Sequence, residues 1–220
     1  MSMRYAVVTD VHGDAARLRD VMEQVGREGV DHVISLGDLF ECKIGKSSVD
    51  AFRYRAATEV FDADPELAEL VDGAFVLRGN QEERIVSLVP DSDLPRWTHR
   101  LLDAPLERRT GFATYCHGHH LPWKEVEPGM WSPAEASFSG RVLVHGHHHR
   151  SAVHRLGPDL SGPRTTVPRF GEPFELEAGA RYVVNVGSVT EPAPGRGPSP
   201  AWAVVDEAAA TVTYHCPGRT

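Results

Sequence analysis

Carboxylate and imidazole side chains recur in the sequence at spacings that suit a metal ion. Asp10 and His12 are separated by one residue, and His147 and His149 share this spacing. In an extended segment, residues two apart project to the same side, so that each pair can hold one ion. Carboxylate and imidazole ligands suit divalent transition metals better than Ca²⁺, which prefers oxygen ligands. The spacing therefore predicts metal-binding chemistry.

These side chains directly follow short apolar segments that are rich in β-branched residues. Such segments predict β-strands, and they lie at residues 5–9, 32–36, 74–77, 113–116, 141–144, 152–156, 181–186, 201–205 and 211–215. The first five are followed by Asp10 and His12, by Asp38, by Asn80, by His117, and by the histidines at 145 and 147–149. Because the loops at the C-terminal ends of strands carry ligands while the strands fix their position, we expect these side chains to converge on one site.

Helical segments alternate with the early strands, whereas the second half of the chain is mostly strand. Residues 14–28 predict an amphipathic helix with Asp14 as its N-cap and Gly29 as its C-terminal stop. Residues 41–72 predict a partly helical insertion, and the segments 157–179 and 191–200, rich in Pro and Gly, predict loops. This order of elements is typical of an α/β layered domain with a mixed sheet.

Composition and charge narrow the class of protein. The chain has 220 residues, of which 41% are hydrophobic and 25% charged, and we predict one domain over residues 1–220. The formal net charge of −8 does not indicate nucleic-acid binding, which usually needs a basic surface. No basic leader and no apolar run of about 18 residues is visible, so we predict a cytoplasmic protein that is neither exported nor membrane-spanning.

Each motif taken alone has an ordinary explanation. A single Asp-x-His is more often a turn residue beside a surface histidine, and Gly37-Asp38 after a strand is a common turn. The histidines at 145 and 147–149 are also compatible with a solvated loop. Their occurrence together, in order and each after a predicted strand, favours a functional site.

The complete set of motifs resembles that of the calcineurin-like metallophosphoesterases. The matching elements, in order, are Asp10-Val-His12, Gly37-Asp38, Gly79-Asn80, His117-Gly118 and Gly146-His147-His148-His149. The resemblance covers about residues 5 to 150, and residues 184–189 look like the Asn-x-Gly-Ser stretch of the smaller bacterial members. It implies a central β-sandwich of mixed sheets flanked by helices in four layers, with a dinuclear metal site at the C-terminal ends of the strands.

The resemblance also implies a ligand set. One metal ion would be held by Asp10, His12, Asp38 and His149, and the other by Asp38, Asn80, His117 and His147, with Asp38 bridging. Mn²⁺ is favoured, and Fe, Zn²⁺, Co²⁺ and Ni²⁺ are alternatives. Two such ions about 3.5–4 Å apart would lower the pKa of a bridging water, and the resulting hydroxide would attack phosphorus in line. The implied enzyme is thus a metal-dependent phosphoric ester hydrolase.

One departure from the family bears on the substrate, which we expect to be a small phosphate ester. Many members carry a histidine after the metal-binding asparagine, where it contacts substrate and helps to protonate the leaving oxygen. Here that residue is Gln81, which cannot supply a proton at neutral pH, so His119 or a metal-bound water is a candidate to replace the histidine. Small bacterial members without this histidine tend to be phosphodiesterases, and we therefore predict a phosphodiesterase with Asp38, Asn80, Gln81 and His119 as catalytic residues.

Several alternatives stay open at this point. The substrate could be a phosphomonoester of a nucleotide or small metabolite, and the chain could be a non-catalytic scaffold of the same fold, as in the retromer complex. Arg78 and Arg150 lie beside predicted ligands and, together with Asn80, are candidate phosphate contacts. Alternatively, the two arginines are ordinary surface charges. Trp97, Trp123 and Trp131 either line a lid for a base or sugar or pack loops onto the core. Because related proteins often form dimers, a homodimer is a further alternative.

Overall fold

Two six-stranded β-sheets and a short hairpin form the fold in the computed structural model, which describes residues 3–134, 138, 140–157, 163–190 and 200–217. The α-helices of the described residues are α1 (Ala15–Val25), α2 (Pro65–Leu70), α3 (Asn80–Leu88) and α4 (His99–Leu102). The strands are β1 (Arg4–Val8), β2 (His32–Ser35), β3 (Phe75–Val76), β4 (Glu107–Arg109), β5 (Ala113–Cys116), β6 (Trp123–Glu127), β7 (Met130–Pro133), β8 (Val142–His145), β9 (Ala152–Leu156), β10 (Arg164–Thr166), β11 (Pro173–Glu175), β12 (Arg181–Asn185), β13 (Trp202–Asp206) and β14 (Thr211–His215).

Both large sheets are mixed, which confirms the predicted fold class. The first has the order β11-β14-β13-β1-β2-β3 and the second the order β10-β9-β12-β8-β5-β4, while β6 and β7 pair only with each other. In the first sheet β1, β2 and β3 run parallel, and in the second β5, β8 and β12 do; the other pairs are antiparallel. Val8 pairs with Ser35, and Cys116 with His145, so the C-terminal ends of neighbouring parallel strands are level.

The two sheets pack face to face around a core of alternate strand residues. Tyr5 and Val7 of β1 lie in this core together with Tyr115 of β5 and Val144 of β8. Ala6, between Tyr5 and Val7, lies in a different cluster because successive side chains of a strand point to opposite faces. The strands are therefore positioned by buried apolar contacts on both faces.

The outer face of the first sheet is covered by helices. Helix α1 begins after Asp14, whose carboxylate accepts a hydrogen bond from Arg17 N at 2.8 Å, as predicted. Its buried residues include Leu18 and Val21, which join the cluster on this face. The helix ends at Val25, earlier than predicted, because the chain turns over residues 26–29 before the next strand.

The outer face of the second sheet is covered differently in the described residues. Its buried cluster consists of Cys116, Leu143 and Val183 with Phe138, and Trp123 of β6 packs against it. A β-hairpin, and not a helix, thus lies on this side next to the ends of β5 and β8.

Several short strands were not predicted. They are β4, β6, β7, β10 and β11, of three to five residues each, and β10 and β11 fall within the predicted loop 157–179. The predicted loop 191–200 lies outside the described residues except for its last residue. In the insertion 41–72, Asp64 caps α2 by accepting from Glu66 N. None of the helices among the described residues is long and apolar enough to cross a membrane.

Candidate metal centre

The loops that follow the parallel strands of both sheets meet at one end of the sandwich. Asp10 and Asp38 come from the first sheet, after β1 and β2, whereas His117 and His147 come from the second, after β5 and β8. His147 N donates a hydrogen bond to Asp10 Oδ2 at 3.0 Å, which joins the two sets of loops. The predicted ligands therefore converge as expected, and they come from the C-terminal strand ends of both sheets.

Asp10, His12 and His149 form the first group of possible ligands. His149 Nε2 lies 2.9 Å and His12 Nε2 lies 3.7 Å from Asp10 Oδ1, and the two imidazole nitrogens are 3.1 Å apart. Asp10 is fully buried, and the side chains of His12 and His149 are 17% and 28% exposed. The group is thus open to solvent on the histidine side only, where an ion could enter.

Asp10 also belongs to a second group, with Asp38 and His117. In each group, one possible ligand atom per residue lies within 4.8 Å of the others. His117 Nε2 is 3.3 Å from Asp38 Oδ2 and 3.1 Å from Asn80 Oδ1, so that Asn80 adjoins this group as well. Asp10 is the residue that the two groups share, whereas the bridging role of Asp38 stays a prediction.

His147 completes the set of predicted ligands. Its ring centroid lies 5.1 Å from that of His117, next to the second group. Burial, together with the positive charge of His117, lowers the pKa of His147 to about 3. The imidazole is therefore neutral at pH 7, which is the state that binds a metal ion.

The electrostatics of the two groups favour positive charge. Burial alone would raise the pKa of Asp10, but His117 and His12 outweigh it and hold this pKa well below its usual range. Burial alone would lower the pKa of His12, but contacts with Asp10 and Glu41 raise it to about 10. Burial is likewise outweighed at His117, where Asp38 and Asp10 raise the pKa to about 9. Ionised carboxylates at the centre of the cluster thus attract cations.

The residues fit a pair of transition-metal ions. Asp10 Oδ1 is buried and accepts no hydrogen bond of good geometry within the described part of the chain, although two imidazole nitrogens are directed at it. Mixed carboxylate, imidazole and amide donors are the set that Mn²⁺, Fe, Zn²⁺, Co²⁺ and Ni²⁺ accept. The two Asp/His groups are therefore able to bind metal.

Backbone strain is concentrated at the predicted ligands. Among the described residues, six that are not glycine have a positive φ, and one of these, Ala210, lies elsewhere. The other five are Asp10 (54°), His12 (51°), Asp38 (52°), His147 (70°) and His149 (53°). Such conformations cost about 1–3 kcal/mol each and persist only where the surrounding structure imposes them. The fold therefore imposes a disfavoured backbone conformation at five of the seven predicted ligands.

Comparison with protein families agrees with this geometry. The family model of the calcineurin-like phosphoesterase superfamily domain matches residues 3–208. The chain belongs to this superfamily. Membership of the superfamily indicates a phosphoric ester hydrolase. A separate comparison with curated protein sequences found no match to the chain.

Solved structures show the same fold at low sequence identity. A metallophosphoesterase from Sphaerobacter thermophilus is 22% identical, with 98% of this chain and 88% of that chain covered and a TM-score of 0.68. Yfce, a phosphoesterase from E. coli, is 17% identical over 98% and 100% of the two chains, with a TM-score of 0.51. The hypothetical protein PH1004 from Pyrococcus horikoshii is 15% identical over 97% and 87%, with a TM-score of 0.52.

Residues that the sequence did not predict hold the predicted ligands of this phosphoesterase in place. Glu41 Oε2 lies 2.5 Å from His12 Nδ1, which directs the Nε2 atom of His12 toward Asp10. Ser188 donates its hydroxyl to Asp10 O at 2.9 Å, and Thr9 donates to Asp10 Oδ2 at 2.6 Å. The motif at 184–189 was the available signal for Ser188, but its contact with Asp10 spans 178 residues and could not be read from spacing.

Glu82 supports Asp38 in the same way. Its side chain is buried, and its Oε2 atom accepts hydrogen bonds from Asp38 N and Gly79 N, both at 2.8 Å. Its Oε1 atom accepts from Phe40 N at 3.1 Å. The glutamate therefore ties the loop after β2 to the start of α3. Burial, then the charge of Asp38, raises the pKa of Glu82 to about 7.

Glu82→Gln is expected to destabilise the metal-free phosphoesterase by about 1–3 kcal/mol, because one amide group cannot accept all three backbone N–H bonds. Urea denaturation, compared with wild type, measures this change. Glu23→Gln, on the exposed face of α1, is the matched control and should stay within about 0.5 kcal/mol. A Glu82→Gln protein as stable as wild type would show that these bonds do not hold the loop.

Two further predicted catalytic residues, Gln81 and His119, lie next to the two groups of possible metal ligands. The side chain of Gln81 turns away from them, since its Oε1 accepts from Cys42 N at 3.1 Å, while its backbone N donates to Asp38 Oδ1 at 2.8 Å. The His119 ring lies 5.4 Å from that of His117, and its Nε2 is 3.0 Å from Glu83. Gln81 therefore positions Asp38, and its catalytic role stays a prediction.

The two arginines that were predicted, with Asn80, to contact phosphate both have protein partners. Arg78 Nε lies 3.8 Å from Glu83 Oε1, and its backbone N donates to Pro105 O at 2.9 Å. Arg150 Nη1 donates to Pro128 O at 2.9 Å, in the turn between β6 and β7. Arg150 thus fastens the hairpin to the loop that carries His149.

Proposed function

We propose that the chain is a dinuclear metal-dependent phosphodiesterase that acts on a small phosphate ester. The observation that carries the proposal is the pair of ligand groups that share Asp10 at the meeting point of the two sheets. Family membership supports the hydrolysis of a phosphoric ester. The absence of a histidine at position 81 supports a diester, because the group that would aid a poor leaving group is missing there.

The residues proposed to bind the two ions all lie shortly after parallel strands in the chain. The first ion would be held by Asp10, His12, Asp38 and His149, and the second by Asp38, Asn80, His117 and His147, with Mn²⁺ favoured. When bound, two such ions activate water as the nucleophile and neutralise charge on the phosphoryl oxygens. The protein contributes the orientation of the ligands: Glu41 holds His12, and Glu82 and Gln81 hold Asp38.

We propose that polar side chains around the metal ligands contact the substrate. Asn80 directs Oδ1 toward His117, which leaves its Nδ2 group to donate to a phosphoryl oxygen. We assign to His119, which lies beside His117 and whose side chain is 10% exposed, the donation of a hydrogen bond to the leaving oxygen. Arg78 and Arg150 are assigned as further phosphate contacts, because positive charge near the cluster attracts a phosphate.

The test is metal content and ester preference of the purified protein. Elemental analysis is expected to find about two transition-metal ions per chain after loading with Mn²⁺. Bis-p-nitrophenyl phosphate should be cleaved faster than p-nitrophenyl phosphate, and a chelator should abolish both reactions until Mn²⁺ is restored.

Each outcome separates the candidate functions. Faster cleavage of the monoester would overturn the diester preference and favour a phosphomonoesterase with the same metal site. Bound metal without turnover of either ester, or no bound metal at all, would favour a non-catalytic scaffold.

A further inference from the structure

The hairpin β6–β7 carries two tryptophans beside the loop of metal-binding histidines. The Trp123 ring lies 4.6 Å from that of His148, and the Trp131 ring lies 5.6 Å from it. His148 stands between His147 and His149 in the chain, and its ring centroid is 4.9 Å from that of His147. A single imidazole thus separates Trp131 from a predicted metal ligand.

Trp123 has a structural role in the hairpin. Its Nε1 atom donates to Gly118 O at 2.8 Å, and its ring lies 4.5 Å from the buried His145. Ala134 N donates to Pro122 O at 2.7 Å at the base of the hairpin, and Arg150 binds the turn at its tip. These contacts fix the hairpin without the indole of Trp131.

Trp131 is partly exposed on the hairpin. Its ring is stacked on His148 with an interplanar angle of 18°, and the residue is half-buried. Within the described residues, its indole nitrogen donates no hydrogen bond. The indole therefore stacks on His148, and part of the residue reaches solvent next to this histidine. By contrast Trp97, which is also half-buried, packs against Phe40 in the core on the far side of the first sheet.

We propose that Trp131 forms a stacking subsite for a planar ring in the organic group of the ester, such as a nucleobase or an aryl group. The inference rests on the proposed function, because it places the phosphate at the metal groups and the ring on the hairpin. An indole offers a large flat surface for stacking, and base stacking on an aromatic side chain tolerates any base. Trp131 is then a specificity-determining residue that selects esters with a ring over esters without one.

Equilibrium binding of two probes tests the subsite without turnover. Adenosine 5′-monophosphate and ribose 5-phosphate share the phosphate and the sugar and differ in the base. Isothermal titration of the Mn²⁺-loaded protein should show that the nucleotide binds about tenfold more tightly or better. Trp131→Leu, which keeps an apolar side chain but no ring, should abolish this difference, whereas Trp131→Phe should keep most of it.

Phe170→Ala serves as the control, since Phe170 is an exposed aromatic residue that lies beside β14, near the β11 edge of the first sheet. It should leave both affinities unchanged. Equal binding of the two probes by wild type, or a nucleotide preference that survives in Trp131→Leu, would overturn the subsite. Hydrolysis of bis-p-nitrophenyl phosphate, measured separately, reports on the proposed function, so that either idea can fail without the other.

Discussion

Asp38→Asn is expected to lower the rate of bis-p-nitrophenyl phosphate hydrolysis by about a thousandfold or more. The substitution keeps the size of the side chain and an oxygen to accept the bond from Gln81 N. It removes the negative charge that faces His117 at 3.3 Å and that would neutralise a metal ion. We therefore expect folding to be retained, while metal content falls to one ion per chain or fewer.

Steady-state kinetics and elemental analysis of the same preparation check this result. Asp14→Asn is the matched control, because it makes the same chemical change at the exposed N-cap of α1, where asparagine caps as well as aspartate. Turnover in Asp38→Asn close to that of the control would rule out the proposed mechanism.

Gly146→Ala is the second substitution with a large expected effect. A Cβ atom at this position would lie 2.1 Å from Thr9 Oγ1 and 2.4 Å from Asp10 Oδ2. Both neighbours are fully buried, so the Asp10 carboxylate would have to move away from the groups that it connects. A displacement of about 1 Å can cost a hundredfold in rate, and overpacking costs about 1–3 kcal/mol of stability.

The expected result is therefore a loss of about a hundredfold in turnover with weaker metal binding, measured by kinetics across a Mn²⁺ titration. Gly45→Ala provides the comparison, because Gly45 has a φ of −62° and open space where a Cβ would lie. Gly146→Ala could instead bind Mn²⁺ and turn over substrate like Gly45→Ala. That result would show that neither metal binding nor turnover requires close contact between the loops after β1 and β8.

Most of the strands could be predicted from the sequence because they are buried on both faces. Val142–His145 and Arg181–Asn185, for example, are almost continuous apolar runs whose burial leaves a strong signal. The strand Glu107–Arg109 consists of charged residues, so its sequence carries no such signal. It becomes a strand at the sheet edge because it can pair with β5. Short edge strands of this kind depend on their neighbours and not on their own composition.

The positions of the predicted ligands could be read from the sequence as well, since each follows a strand and each is a residue type that binds metal. The local backbone geometry of these ligands could not be read from the sequence. The positive φ values of Asp10, Asp38 and His149 are disfavoured for these residues in isolation and are imposed by contacts from other parts of the chain. In one such contact the Ser188 hydroxyl donates to Asp10 O, and in another Asp38 N donates to the Glu82 carboxylate.

The sequence by itself thus determined the family, the order of the buried strands and the residue types that gather at their ends. Those features are encoded locally, in apolar runs and in the residues that directly follow them. Only the tertiary structure decided that the ligands come from two sheets, that Asp10 is shared between two groups, and that Trp131 lies beside His148. These relations depend on which strand ends are brought face to face, and that is set by the packing of the two sheets over a common core.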